Sequence, residues 1–350
     1  MLQNIRNKQT TTFTWAASGT ISQLVRASGA LTRLVFRVRV TPSASYASNH
    51  AIDGLWRVIN TLALKGTGGT HYLSMGDQEI GRMLHLLNRW DGIVKGAGHE
   101  PLGTPVDVVW VMHFGSRPFD QFGRPNPFDL SAFVPAFDDR DLTFEWGTTA
   151  NTVTDAAITI SSAVGHLTVY EVLGTAAELK QEMARQGIFQ PMIPTSSYKS
   201  YAHTANFSDL SSEHDTPSGA FLRRIALLVQ DEAAPATGTN LRANDEVAQV
   251  GLKLPIGNQR VFQDDFRAMA HSDGGAIDDL AEIDVGVTTG VIRTSGGFAV
   301  MDLRQHGHTD YGLDLRPFKS GDVKLGLTIE NYASGDDTFI WWDQVRPYQF

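Results

Sequence analysis

The chain contains no cysteine. Disulfides, thiolate metal sites and cysteine nucleophiles are therefore excluded, although the redox compartment is not identified by that absence. No apolar run approaches the roughly 20 residues that a membrane-spanning helix needs. The first residues lack the basic, apolar and small-residue layout of a signal peptide. No Gly-x-Ser-x-Gly elbow occurs. The glycine-rich Gly66-Thr67-Gly68-Gly69 lacks the Lys-Ser/Thr ending of a phosphate loop and reads as a hairpin turn. Acidic residues are missing from the first 52 positions, which carry Arg6, Lys8, Arg26, Arg33, Arg37 and Arg39. The whole chain nevertheless has a net charge of -9, which argues against general nucleic-acid binding. The basic start reads either as strands with arginine on a solvent face or as an arm that meets an anionic surface such as lipid headgroups.

What is present points to β-structure. At 350 residues the chain suits two domains, and short runs rich in Thr, Val and aromatics alternate with Gly and Pro. The clearest stretch is Asp322–Trp342. Val323, Leu325, Leu327 and Ile329 alternate with Lys324, Gly326, Thr328 and Glu330, the period of a half-buried strand. A polar turn over 331–337 leads to a second apolar strand, 338–345. Asp141 begins a similar unit, in which Leu142, Phe144 and Trp146 alternate with Thr143 and Glu145, followed by a polar turn and a strand at 156–160. Asp141 and Asp155 stand at the same spacing from Asp322 and Asp336 respectively.

Two further matches follow in the same order. The Gly-Ala strand at 29–40 matches the one at 219–230, with Arg33 against Arg223. Ile80, Met83 and Leu84 of a helix opened by Asp77 match Phe266, Met269 and Ala270. Colinearity makes an internal repeat of one β-unit. Between the halves, Thr175 and Glu178 form a capping box, Leu179 and Met183 share a helix face, and Gly187 supplies the C-terminal stop. Elsewhere, 10–25 reads as a long strand or strand pair broken at Ser18-Gly19, 106–114 as a central buried strand, 116–137 as an elaborated surface loop, and 287–303 as a hairpin.

Each half thus offers about eight strands interrupted midway by a short helix, an all-β layout of two consecutive eight-stranded jelly rolls joined by a linker helix. The boundaries are an arm at 1–9, a first roll at 10–173, the linker at 174–187 and a second roll at 188–350. With DLTFEWG at Asp141–Gly147, GDVKLGLTIEN at Gly321–Asn331 and the closing IWWDQVRP at Ile340–Pro347, the chain resembles the double jelly-roll major capsid proteins of tailless icosahedral viruses. That family includes bacteriophages with an internal membrane. The resemblance implies a structural protein without catalysis or cofactor. It implies pseudo-hexameric homotrimers tiling an icosahedral shell, with neighbouring capsomers and penton and minor capsid proteins as partners. It places the protein in the virion, assembled in the host cytoplasm. The loops at 116–137, 231–244 and 272–284 would form outward towers or intersubunit contacts. Arg6 and Lys8 would face the base, near an anionic membrane.

Other constellations carry competing chemistry. His306-Gly307-His308 in an extended segment would set two imidazoles on one face, the start of a cupin-like metal site. No Glu follows at the cupin spacing, no His lies beyond His308, and His113 has no partner two residues away. A polar loop is the plainer reading, and a bicupin-like metalloenzyme is the third alternative. Asp138-Asp139 and Asp264-Asp265 could supply paired carboxylates for glycoside hydrolysis, but adjacent acids at element starts are more often turn formers or caps. Trp341-Trp342 put one indole on each face of a strand. One reads as core and the other as an intersubunit contact, or as a sugar platform in a carbohydrate-binding or spike/fibre β-sandwich, the second alternative.

Overall fold

A computed structural model describes residues 2–25, 28–43, 54–66, 70–75, 80–93, 105–120, 122–135, 140–147, 159–231, 241–242, 246–255, 260–266, 268–269, 282–284, 291–293, 297–304 and 311–348. The first half supplies β1 (Gln3–Thr14), β2 (Thr20–Leu24), β3 (Ala30–Pro42), β4 (Ile59–Lys65), β5 (His71–Met75), β6 (Val106–His113), β7 (Asp141–Trp146) and β8 (Ile160–Leu173). Helix α1 (Ile80–Trp90) lies between β5 and β6, and helix α2 (Ala176–Arg185) follows β8. The second half supplies β9 (Met192–Pro194), β10 (Ser196–Ala202), β11 (Phe207–Asp215), β12 (Phe221–Asp231), β13 (Leu241–Arg242), β14 (Val247–Lys253) and β15 (Arg260–Asp265). It continues with β16 (Glu282–Asp284), β17 (Val291–Arg293), β18 (Phe298–Asp302), β19 (Leu313–Asp314), β20 (Lys324–Ile329) and β21 (Asp337–Pro347).

These strands form two jelly rolls. In the first, the sheet β1-β8-β3-β6 faces β5-β4-β7-β2. In the second, β10, β21, β12 and β18 face the sheet β11-β20-β14-β15. Every roll thus places its first strand beside its last, as a Greek-key closure requires. The rolls repeat down to their irregularities. Thr32 is an unpaired bulge residue between Leu31, opposite Glu171, and Arg33, opposite Tyr170. Arg223 is the same bulge between Leu222, opposite Gln344, and Arg224, opposite Asp343. A second bulge falls between Leu64 and Lys65 in the first roll and between Leu252 and Lys253 in the second. Arg33 therefore corresponds to Arg224, not to Arg223. The sequence match is one residue out because pattern alone does not reveal which strand residue a bulge leaves unpaired.

The two rolls share one sheet. β5 pairs in parallel with β10, setting Leu73, Ser74 and Met75 opposite Ser196, Ser197 and Tyr198. The path β12-β21-β10-β5-β4-β7-β2 is continuous. As a result the β12–β21 layer is buried on both faces. Ile225, Leu227, Ile340 and Trp342 enter the core of the second roll. Ala226, Leu228, Phe339 and Trp341, with Tyr198, Phe298 and Val300, enter a core that is built mainly from the first. Burial on both faces explains why these strands read as continuous apolar runs.

Several expectations change. The stretch 1–9 reads as an arm, but its described part belongs to β1, where Gln3 to Lys8 pair with Leu173 to Thr168. Its polar residues carry no period because backbone pairing, not burial, holds it. The apolar strand 106–114 is β6, an edge strand rather than a central one. Its outer side is closed by Asn88 of α1, whose side chain accepts from Val111 N–H and donates to Val111 C=O, both at 2.7 Å. Of the hairpin read at 287–303, the turn lies outside the described residues, and the two described strands pair elsewhere: β17 with β16, and β18 with β12. The linker helix is as read, with Thr175 as N-cap, both capping-box bonds present, and Gly187 at φ 72°.

Candidate functional site: the junction of the rolls and the free sheet edges

Helix α1 is wedged at the junction. All eleven of its residues are buried, including Arg82, His85, Asn88 and Arg89. Several polar groups in and around the helix are matched across the junction. Arg82 donates to Gln230 of β12 at 3.1 Å, and the Trp110 indole donates to Gly81 C=O at 2.7 Å. Just past the helix, Asp91 accepts from Arg224 Nη1 at 2.6 Å.

That bond belongs to a buried ion network. Asp343 of β21 accepts from Arg223 Nη2 at 2.6 Å and from Arg224 Nε at 2.8 Å. Ser196 Oγ donates to the same carboxylate at 3.2 Å, and Arg223 Nη1 donates to Phe114 C=O at 2.8 Å. Burial alone would raise the Asp343 pKa, but Arg223 and Arg224 outweigh it and hold the carboxyl well below the usual range. Burial likewise opposes the Arg224 charge, and Asp91 and Asp343 override it. A cavity of about 40 Å³ lies beside the network, bordered by Asn88, His113 and Trp341. It has room for a water molecule or two and is far smaller than a ligand pocket of roughly 300–1,000 Å³. The chemistry on offer is adhesion between the two halves.

The loop after β6 straps the junction. Leu130, Ala132, Phe133 and Val134 are buried. Val134 bridges to Leu31 of the first roll, and Ala132 bridges to Met192 of β9. Arg117 donates to Gln186 C=O at the end of α2, and Arg304 donates to Ser116 C=O. Within the loop expected at 116–137 to form an outward tower or an intersubunit contact, 127–135 thus form a strap. Its turn at 119–125 presents Phe122, 72% exposed.

The expected site residues fall as follows. Arg6 stands in β1, opposite Tyr170, its guanidinium 5.5 Å from that ring; Lys8 lies two residues on, opposite Thr168. Neither is on an arm. Trp341 and Trp342 are both buried, so the contact expected between subunits is made between rolls of one chain. His306, His308, Asp138 and Asp139 lie outside the described residues. Asp265 accepts from Ala268 N–H at 2.9 Å, the role of a helix cap. Among the described residues no group of three or more His, Asp or Glu is placed to hold a metal, and no helix is long and apolar enough to cross a membrane. Sequence reading missed the Arg223–Arg224–Asp343–Asp91 network. Its signal was two adjacent arginines inside an otherwise apolar strand, which demand buried acidic partners.

Among the described residues β1 in the first roll and β15 in the second are outer strands of their sheets, as are β2, β6 and β11. The outer face beside β1 is basic. Across β1, β8, β3 and β6 the register lines up Arg6, Tyr170, Arg33 and His113 in one row. Two rows on, His166 and Arg37 stand side by side, and Arg39 with Asp107 ends the face. Asp107 is 3.9 Å from Arg37.

No family model matches the chain, and no curated protein does. Solved structures do. A crystal structure of the STIV MCP aligns with TM-score 0.68 at 15% identity, covering 98% of this chain and 96% of that one. A chain from the atomic structure of Sulfolobus Turreted Icosahedral Virus aligns with TM-score 0.70 at 14% identity, covering 98% and 90%. The major capsid protein P2 from Bacteriophage PM2 aligns with TM-score 0.52 at 12% identity, covering 99% and 98%. Two complete rolls, their shared sheet and this end-to-end likeness make the chain a double jelly roll, the fold of the viral major capsid proteins it resembles.

Proposed function

We propose that the protein is a structural major capsid protein without enzymatic activity, located in the virion. The observation that carries this reading is the fusion of two equivalent rolls into one body, in an order that matches viral capsid subunits over nearly the full length of both chains. Two similar rolls per chain give three chains six similar corners, so a homotrimer presents a nearly hexagonal outline suited to tiling an icosahedral shell. The chain divides at α2, with the first roll ending at Leu173 and the second beginning after Gly187. Neighbouring capsomers, with penton and minor capsid proteins, are the partners of such a tile. An internal membrane would lie beneath the shell, and assembly would take place in the host cytoplasm.

Light scattering after size exclusion tests the reading. A mass of three chains, or of a large shell, supports it. A monomer over a wide concentration range overturns it. Lipid phosphorus in purified particles tests the membrane.

A further inference from the structure

The junction inside the chain is a template for the junction between chains. Within the chain, the fifth strand of one roll meets the first of the next: β5 pairs in parallel with β10. The equivalents of those two strands are β15 and β1, and each is an outer strand of its sheet with no partner on its outer side among the described residues. We propose that β15 of one copy pairs in parallel with β1 of the next, head to tail, so that three chains close a ring of six rolls. This deepens the trimer reading and rests on it.

The ladders fix the register. Leu34 and Ile225 are equivalent, two residues past each bulge residue, and they face Val169 and Trp342. Asn7 faces Val169 and Ser197 faces Trp342, so Asn7 corresponds to Ser197 and Lys8 to Tyr198. On the other edge, Leu64 and Leu252 are equivalent and face Leu73 and Phe262. Ser74 and Met75 therefore correspond to Gln263 and Asp264. Transferring the internal pairs, Ser197 with Ser74 and Tyr198 with Met75, sets Asn7 opposite Gln263 and Lys8 opposite Asp264 of the next copy. A cationic position thus meets an anionic one in a register that was derived from backbone pairing alone.

Two further observations agree. Arg33 is the equivalent of Arg224. Arg224 is satisfied by Asp91, which follows the helix after β5. Arg33 is only 9% exposed, yet its Nε has no hydrogen-bond partner among the described residues. An acid of the next copy would fill that place. The receiving face carries Arg6, Arg33, Arg37 and Arg39. Complementary charge across a heterologous contact fixes both orientation and register.

The native chain has no cysteine, so cross-linking gives a clean test. Asn7→Cys with Gln263→Cys, oxidised at native concentration, should give two- and three-chain species on a denaturing gel, while each single variant gives none. As a second measurement, Lys8→Glu or Asp264→Lys should weaken the trimer about tenfold on dilution, and the double reversal in one chain should restore it. A double-cysteine variant with the native mass of a trimer that runs only as single chains overturns this interface and leaves the trimer reading standing. A native protein that is always monomeric overturns the trimer reading itself. If Lys8→Glu leaves the mass unchanged but abolishes sedimentation with phosphatidylglycerol vesicles, the basic edge serves lipid and the proposal fails.

Discussion

Asp343 lies between Arg223 and Arg224, 2.6 Å from one guanidinium and 2.8 Å from the other. One carboxylate on the last strand thereby holds two consecutive cations of β12, and Arg224 extends the link to Asp91 in the first half. Asp343→Ala would strand both charges in a dry interior. Such losses typically cost about 3–5 kcal/mol. Urea denaturation of the variant should show a shift of that size, and a change below about 1 kcal/mol would mean that the network is hydrated.

Trp341 tests where the two indoles act. It is 6% exposed and packs with the first-roll core, whereas Trp342 lies in the second. Trp341→Ala should lower the stability of the isolated chain by roughly 3–5 kcal/mol. An intersubunit tryptophan would instead leave chain stability intact and shift the native mass. Denaturation and light scattering on the same sample separate the two.

Gly326 and Gly251 face one another across β20 and β14, beneath Leu210. Leu210 has φ 57° and is fully buried. A Cβ at Gly326 would stand 2.7 Å from Leu210 O and 2.9 Å from Leu210 Cβ, too close for either to stay. Gly326→Ala should therefore displace the β11 bulge and cost about 1–3 kcal/mol, read as a lower denaturation midpoint with faster hydrogen exchange at 207–212.

Thr175→Ala removes the cap of α2, in which Thr175 Oγ1 accepts from Glu178 N–H at 3.3 Å. The expected loss is about 1 kcal/mol, and Thr175→Asp should retain most of the stability.

His203 and His214 set the response to acid. Burial lowers both pKa values to about 4, helped at His214 by His203 and Lys199 and opposed by Asp215. The unfolded chain binds these protons from about pH 6.5 downward, the folded chain only near 4. The stability they confer is complete above pH 6.5 and is lost as pH falls toward 4. Denaturation midpoints at pH 7, 5.5 and 4.5 should fall in that order. A His203→Gln, His214→Gln chain should show a flatter dependence, and an unchanged slope would assign the acid response to the carboxylates.

Local chemistry was legible in the sequence wherever a residue's role depends on near neighbours. Thr175, Glu178 and Gly187 mark α2 because caps and stops act within one turn. Leu142, Phe144 and Trp146 mark β7 because one face alone is buried. Roles that depend on distant partners were not legible. One of Trp341 and Trp342 looks like a surface indole until β21 is known to be covered on both faces. Val106–His113 looks central because α1, not a strand, closes its edge. Residues 3–8 look like an arm because a ladder held by backbone bonds leaves no apolar period. The repeat itself was visible, but the pairing of Arg33 with Arg223 slipped by one residue at a bulge, and in a strand one residue exchanges the two faces.

The sheet that runs unbroken through β5 and β10 has a mechanical consequence. Shared backbone pairing, a strap and a buried ion network all oppose hinging between the two halves of the chain. If such chains tile a closed shell, curvature has to be taken up at the seams between molecules, where contacts can tilt without breaking a ladder. Each chain would then enter assembly as a rigid brick, and the radius of the shell would be decided by its edges.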